Sequence, residues 1–252
     1  KEMIFAKTLP KSTSFNKASW LHRGPYNVGG RTRALAMDIL DENILFAGGA
    51  SGGMFRSTDG GQSWVMTTDP NQLHNVTCVD QDTRVGKENI WYFGSGELTG
   101  SSASGGESYY GGNGIYKSVD GGLSWDSLAV TATNTNGFDS NFDFIWNIKT
   151  DPSNDSLDVV YAATYGTIYR SENGGDSWVK ELGGGSTYYN NVEVASNGVV
   201  YATLSSDGLD KGIWRSEDGQ NWTNITDSLF PPIYGRIAIG INPSNEDEVY
   251  FL

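Results

Sequence analysis

Cysteine is nearly absent: one residue, Cys78, in a chain of 252. A single thiol excludes an intramolecular disulfide and a cysteine-built metal cluster, and its place in an alternating pattern marks it as a small core residue. Histidine is almost as scarce, and His22 and His74 stand at no metal-ligand spacing. Basic residues are few, with 17 Lys and Arg against 30 Asp and Glu, a formal net charge of −13. That balance argues against a nucleic-acid partner, because no surplus of cations exists to displace phosphate counterions, and the acidity serves solubility. Long apolar runs are missing too: nothing approaches the 18 residues of a spanning helix, so membrane insertion is not expected. The first residues, Lys1-Glu-Met-Ile-Phe, lack the basic, apolar and small-residue segments of a signal peptide. A processed secreted protein would begin this way, and so would a cytosolic one.

What is abundant is glycine, 33 residues, and aromatic residues, 8 Trp, 13 Tyr and 10 Phe. Such a composition belongs to many short strands joined by turns. Four copies of one signal organise it: Ser57-Thr-Asp-Gly-Gly-Gln-Ser-Trp64, Ser118-Val-Asp-Gly-Gly-Leu-Ser-Trp125, Ser171-Glu-Asn-Gly-Gly-Asp-Ser-Trp178 and Ser216-Glu-Asp-Gly-Gln-Asn-Trp222, spaced 61, 53 and 45 residues apart. A supersecondary unit repeated at such intervals indicates an array or propeller. Ser57, Asp59, Gly61 and Trp64, and again Ser118, Asp120, Gly122 and Trp125, fit the Asp-box pattern Ser-x-Asp-x-Gly-x-x-Trp in full. In the third copy, Ser171, Gly175 and Trp178 are kept and Asn173 replaces the Asp. The fourth is one residue short, so Asp218 is followed by Trp222 too soon. Asp and Ser bond nearby backbone N–H groups, glycine takes positive φ and Trp covers the turn. The expectation is that all four Trp are substantially buried, that Asp59 and Asp120 are buried acceptors, and that Asp218 is held less well. Each copy follows a short strand ending in an aromatic and a basic residue: Phe55-Arg56, Tyr116-Lys117, Tyr169-Arg170 and Trp214-Arg215.

Reading outward from each copy predicts an all-β chain of four-stranded antiparallel propeller blades. Inner strands fall at 33–38, 75–80, 146–151, 191–196 and 236–242. Second strands fall at 44–48, 90–94, 159–163, 199–203 and 249–252. Blades are expected at about 30–68, 75–130, 142–183, 188–227 and, in part, 234–252, with residues 1–25 as an arm or closing strand. The count of about four and a half predicts the N-terminal part of a larger propeller. Strand direction puts the repeated turns at the bottom and the loops between second and third strands on top. One top loop, residues 94–114, is far longer than the rest and carries Glu97, Glu107, Tyr109 and Tyr110; long loops in compact folds are often functional.

The run Gly24-Pro-Tyr-Asn-Val-Gly-Gly-Arg-Thr-Arg-Ala34, followed by Ala47-Gly-Gly-Ala-Ser-Gly-Gly-Met-Phe-Arg-Ser57 and Gly94-Ser-Gly-Glu97, resembles bacterial sortilin-like repeat (BNR) propellers. These are large secreted or cell-surface proteins, often named glycosyl hydrolases or exo-sialidases, many exported by the type IX route in Bacteroidetes. The resemblance implies a fold and an extracellular or cell-surface location. It implies little about activity, since a propeller hosts many functions.

Glycoside hydrolysis needs two carboxyl groups facing across the sugar, about 5 to 9.5 Å apart. In family 74 glycoside hydrolases, which share this repeat type, the resemblance implies an Asp just before Gly-Gly in the first top loop; here Ala50-Ser51 precedes Gly52-Gly53. Glu97 and Glu107 remain, both in a flexible Gly/Ser setting with no second acid fixed opposite. Sialidases also carry the box and grip a carboxylate with three arginines. Aligning the inner strands on Asp38, Asp80, Asp151, Ser196 and Asn242 brings Arg31, Arg33 and Arg236 to the top of the channel, in a layer with His74, Asn75, Trp146, Tyr189, Asn190 and Asn191. The Arg-Ile-Pro of sialidases is missing before the first box, and no Tyr nucleophile can be assigned. Acidic turns at 151–155 and 242–247 offer oxygens of the kind Ca²⁺ takes, but read as ordinary turns.

The sequence thus predicts a secreted or surface binding module that recognises a polypeptide or glycan through its top face, with Arg31, Arg33, His74, Asn75, Glu97, Trp146, Tyr189, Asn190, Asn191 and Arg236 as candidates. No catalytic residue, metal or cofactor is assigned. Two alternatives stay open: a hydrolase or sialidase-like enzyme whose remaining catalytic residues lie beyond Leu252, and a secretion-system accessory or scaffold.

Overall fold

The computed structural model describes residues 31–72, 75–98, 109–135 and 137–252. The expected arm at 1–25, together with His22, His74 and Glu107, lies outside them. Within them are four four-stranded antiparallel sheets and one two-stranded sheet, each strand paired with its sequence neighbour. Blade 1 is β1 (Thr32–Met37), β2 (Leu45–Gly49), β3 (Gly53–Ser57) and β4 (Val65–Met66). Blade 2 is β5 (Cys78–Gln81), β6 (Trp91–Gly94), β7 (Ile115–Ser118) and β8 (Asp126–Ser127). Blade 3 is β9 (Ile145–Thr150), β10 (Val160–Thr164), β11 (Thr167–Ser171) and β12 (Val179–Gly183). Blade 4 is β13 (Asn190–Val194), β14 (Val200–Leu204), β15 (Gly212–Ser216) and β16 (Trp222–Asn224). The last sheet joins β17 (Ile239–Ile241) to β18 (Val249–Phe251). The helical content described is a single 3-10 turn at Asn141–Asp143.

Successive inner strands β1, β5, β9, β13 and β17 lie side by side. Threonines tie neighbouring blades near this wall: Thr77 Oγ1 donates to Ile145 O at 2.6 Å, Thr150 Oγ1 to Gln81 O at 2.9 Å and Thr203 Oγ1 to Ile237 O at 2.9 Å. The core lies between blades rather than within one sheet. Phe46 and Met54 of blade 1 pack with Trp91, Phe93, Tyr116 and Trp125 of blade 2. Tyr92 and Ile115 of blade 2 pack with Ile145, Ile148 and Val160 of blade 3, and Tyr161 and Ile168 of blade 3 with Val192 and Val200 of blade 4. Cys78 sits in this core as expected, and burial pushes its thiol up to about 11.

The repeated turns share one bonding scheme. Ser57 Oγ accepts from Gly61 N at 2.9 Å and donates to Asp59 at 2.8 Å, while Asp59 accepts from Ser63 N and Ser63 Oγ at 2.8 and 2.6 Å. Ser118 and Asp120 repeat it with Gly122 and Ser124. Asn173 preserves the geometry, its amide donating to Ser177 Oγ at 2.9 Å. Three expectations need correction. The buried member is the serine, while Asp120 and Asp218 lie at the surface and Asp59 is half-buried, because the serine hydroxyl faces the closing glycine amide. Asp218 is not held less well: it accepts from Gln220 N, Asn221 N and Asn221 Nδ2 at 2.9, 2.7 and 2.7 Å, the Asn side chain standing in for the missing serine. Finally, Trp64 is 39% exposed whereas Trp125 is 3% exposed. Trp125, Trp178 and Trp222 wedge against the preceding blade, and no described residue offers Trp64 such a neighbour.

Candidate functional site

Register decides which residues share an end of the blade. Thr32 faces Gly49 and Gly49 faces Gly53 at the top, whereas Met37 faces Leu45 and Leu45 faces Ser57 at the bottom. The repeated turns therefore lie opposite the end that carries Arg31 and Arg33. There, Glu97 is completely buried and pairs with both arginines, with Arg33 Nη1 at 3.1 Å. Its expected flexible setting is corrected. The backbone of Glu97 exchanges two hydrogen bonds with Tyr110, and Gly96 beside it, at φ +86°, leaves no room for a Cβ against the carbonyl of Asp143. A carboxylate so enclosed serves to hold two guanidiniums.

Arg33 lies over the Trp146 ring at 6.0 Å, and Trp146 packs on Tyr189 with centroids 5.0 Å apart. Trp146 is buried, and its indole N–H has no hydrogen-bond partner among the described residues. Arg236, on the segment leading into β17, makes no ion pair among the described residues. Desolvation draws its guanidinium below the ordinary arginine value, and the positive charge of Arg33 adds to this. Below the mouth lies a polar cavity of about 250 Å³ lined by Arg33, Thr77, Trp146, Asn147, Lys149, Asn191, Glu193 and Arg236 among others.

Three candidates have internal duties. Asn75 donates to Gly111 O at 2.8 Å and accepts from Gly96 N at 3.2 Å, so it pins the long top loop. Asn190 donates to Thr164 O at 2.6 Å, tying blades 4 and 3, and its side-chain amide oxygen is buried without a hydrogen-bond partner among the described residues. Asn191 accepts from Asn147 Nδ2 at 2.6 Å.

Sequence reading missed the wall beneath. Lys149 stands 3.3 Å from both Asp80 and Glu193, a cation bracketed by carboxylates of the two flanking inner strands. Asp80 first, and Glu193 after the opposing effect of burial, raise the Lys149 ammonium above its usual range, while burial raises the Glu193 carboxyl. The available signal was strand parity: Lys149 alternates with the core residues Ile148 and Thr150. Among the described residues no group of three or more His, Cys, Asp or Glu is placed to hold a metal ion. The turn residue Asp151 instead accepts from Ser153 N and Oγ. No helix described is long and apolar enough to cross a membrane.

No protein-family model and no curated protein sequence matches the chain. Solved structures do. A GH74 enzyme from Niastella koreensis superposes with TM-score 0.60 at 21% identity, over 87% of this chain and 33% of that one. The extracellular domain of a putative one-component system from B. thetaiotaomicron gives 0.58 at 12% identity, over 91% and 27%. An auxiliary nutrient binding protein from Bacteroides thetaiotaomicron gives 0.53 at 12% identity, over 88% and 52%. The chain spans about a third of the length of the GH74 enzymes it matches. Likeness at these identities speaks to fold alone, and with the four antiparallel sheets it identifies the chain as blades of a β-propeller.

Proposed function

We propose that the chain is a binding module of a sortilin-like, Asp-box propeller at the cell surface or outside the cell, taking a carboxylate-bearing polypeptide or glycan at its top mouth. The observation that carries this is a local charge imbalance. Arg31 and Arg33 share one buried carboxylate, Glu97, in a protein of net charge −13, and the third arginine, Arg236, has no carboxylate of its own among the described residues. A guanidinium beside a second cation gains when an anion arrives, because the ligand relieves repulsion as well as forming charge-assisted hydrogen bonds. Tyr189, packed on Trp146, adds an apolar face. Among the similar folds, one is an auxiliary nutrient binding protein and another an extracellular domain, which agrees with binding outside the cell.

The test is a titration of acidic peptides and uronate-containing oligosaccharides, with neutral counterparts as controls. Arg236→Ala should weaken binding roughly ten- to a hundredfold, the worth of a charged hydrogen bond, with the melting temperature unchanged. Equal affinity for acidic and neutral ligands would sink the proposal. Sugar release during the same titration would favour a hydrolase instead.

A further inference from the structure

Aromatic rings continue outward from the mouth along the top of the molecule. Tyr189 packs on Trp146 at the mouth, while its neighbour Tyr188 meets Tyr165 with centroids 5.8 Å apart. Tyr165 in turn meets Phe138 at 4.9 Å, and Phe138 meets Phe144 at 5.1 Å. Tyr165 stands on the turn between β10 and β11, so the row crosses the end of blade 3 opposite its repeated turn. Phe144 is buried, but Phe138 is 48% and Tyr188 46% exposed. Exposed rings in one contiguous row, unlike scattered ones, point to an interaction surface.

A carboxylate closes the row. Asp207, on the turn between β14 and β15, accepts from Tyr188 N at 2.9 Å and from Ser205 Oγ. Those two bonds fix its position and leave it with capacity to spare, because a carboxylate has about four acceptor directions. Asp207 is exposed and makes no ion pair among the described residues. Burial raises the Tyr165 hydroxyl above its ordinary value, and the charges of Tyr188 and Asp207 act in the same direction, which places the three groups at one corner. Blades 3 and 4, which build that corner, are both four-stranded sheets, and the two-stranded last sheet supplies none of it.

We infer that this corner, between the tops of blades 3 and 4, takes a basic side chain of a polypeptide ligand, its cation set against the Phe138, Tyr165 and Tyr188 rings and facing Asp207. Aromatic rings attract a cation through their electron-rich faces, and the unpaired carboxylate beside them supplies the opposite charge. A glycan fits less well. Neighbouring rings stand at 81° and 84° to each other, so they share no plane on which a sugar could lie, and a neutral sugar leaves the charge of Asp207 unmatched. The inference deepens the reading of the mouth and rests on it only for the acid: a ligand with a carboxylate near Arg236 and a basic residue a few positions along is a polypeptide.

The test uses the full 252-residue chain labelled with ring-fluorinated tyrosine, and reads the fluorine resonances of Tyr165 and Tyr188 on titration. The probe is a short acetylated, amidated peptide with one central arginine among glycine and serine, beside its citrulline counterpart, which keeps the shape and loses the charge. Saturable shifts at both tyrosines are expected with arginine, and binding about threefold to tenfold weaker with citrulline. Asp207→Asn, which keeps an acceptor for Tyr188 N–H, should weaken the arginine peptide by about threefold or more, as should Tyr188→Leu. Asp210→Asn and Arg236→Ala should leave it unchanged. Because the probe carries no carboxylate, the Arg236→Ala result here is independent of whether the mouth takes an acid, and the two readings fail separately. The citrulline comparison needs no substitution and decides even where a variant does not fold. Absence of any shift, or equal affinity for the two peptides, would overturn the inference. So would equal losses at Asp207→Asn and Asp210→Asn, which would mean a general pull of the −13 chain on cations. A neutral cello-oligosaccharide that shifts the same two resonances at lower concentration than the arginine peptide would overturn it in favour of a glycan.

Discussion

At the residue scale, serine and aspartate divide the work of the repeated turn. The buried Ser118 hydroxyl satisfies Gly122 N–H, and removing it leaves a buried donor without an acceptor. Ser118→Ala should therefore cost about 1–3 kcal/mol, read as a lower denaturant midpoint with unchanged slope. The aspartates set an acid limit. Asp59 is held at about 2, first by the Ser63 hydroxyl and then by Ser63 N–H and Ser57. Asp120, which burial alone would raise, is brought to about 2 by Ser124, Ser118 and Leu123. Unfolded aspartate titrates near ~3.9, so these groups contribute stability that is present above about pH 4 and lost as pH falls toward 2. Asn173 shows the same turn without a titrating group. Asp120→Asn should accordingly be tolerated at pH 7 and should flatten the acid limb of a stability–pH profile; an unchanged limb would contradict this.

At the scale of the element, a blade is stabilised by its neighbour as much as by its own ladder. Trp125 stacks edge-on to Phe46 and Phe93 and bonds Thr67 of blade 1 through its indole N–H at 2.9 Å. Among the described residues the Trp64 indole bonds only its own turn, at Gly61 O. Trp125→Ala should cost about 3–5 kcal/mol, and Trp64→Ala well under half of that. Matching losses in thermal unfolding would mean that the seam contributes nothing beyond the turn. The inner and second strands were legible to within one residue for blades 1 and 3 and to within two for blade 4, because alternation and flanking Gly, Asn and Asp mark them locally. β5 begins at Cys78, not at the expected Asn75, since the Asn75 side chain is engaged with the top loop and the segment 75–77 is extended without a full ladder. β17 likewise begins at Ile239 rather than at Arg236.

At the scale of the whole molecule, a −13 chain gathers cations at one mouth. Binding there should weaken as salt rises, since attraction to exposed charge is screened over about 8–10 Å near physiological ionic strength. An affinity constant across 50 to 500 mM salt would remove charge from the recognition.

The sequence by itself determined the class of fold, the number and order of strands, the polarity of each blade and the bottom position of the repeated turns. All of these follow from period-two alternation and from turn residues whose chemistry acts within eight positions of chain. It also brought Arg31, Arg33, Trp146 and Tyr189 to one layer, because parity along aligned strands carries that information. What it could not determine were the partners of those residues. Glu97 lies 66 positions from Arg31, Asp80 lies 69 from Lys149, and Arg56 lies 65 from Gly121. Each pairing crosses a seam whose register is set by how aromatic residues of two blades interlock, and no local pattern encodes that interlock. Only the tertiary structure decided that Glu97 is a buried anchor and that Arg56 and Lys117 each latch their blade to the next.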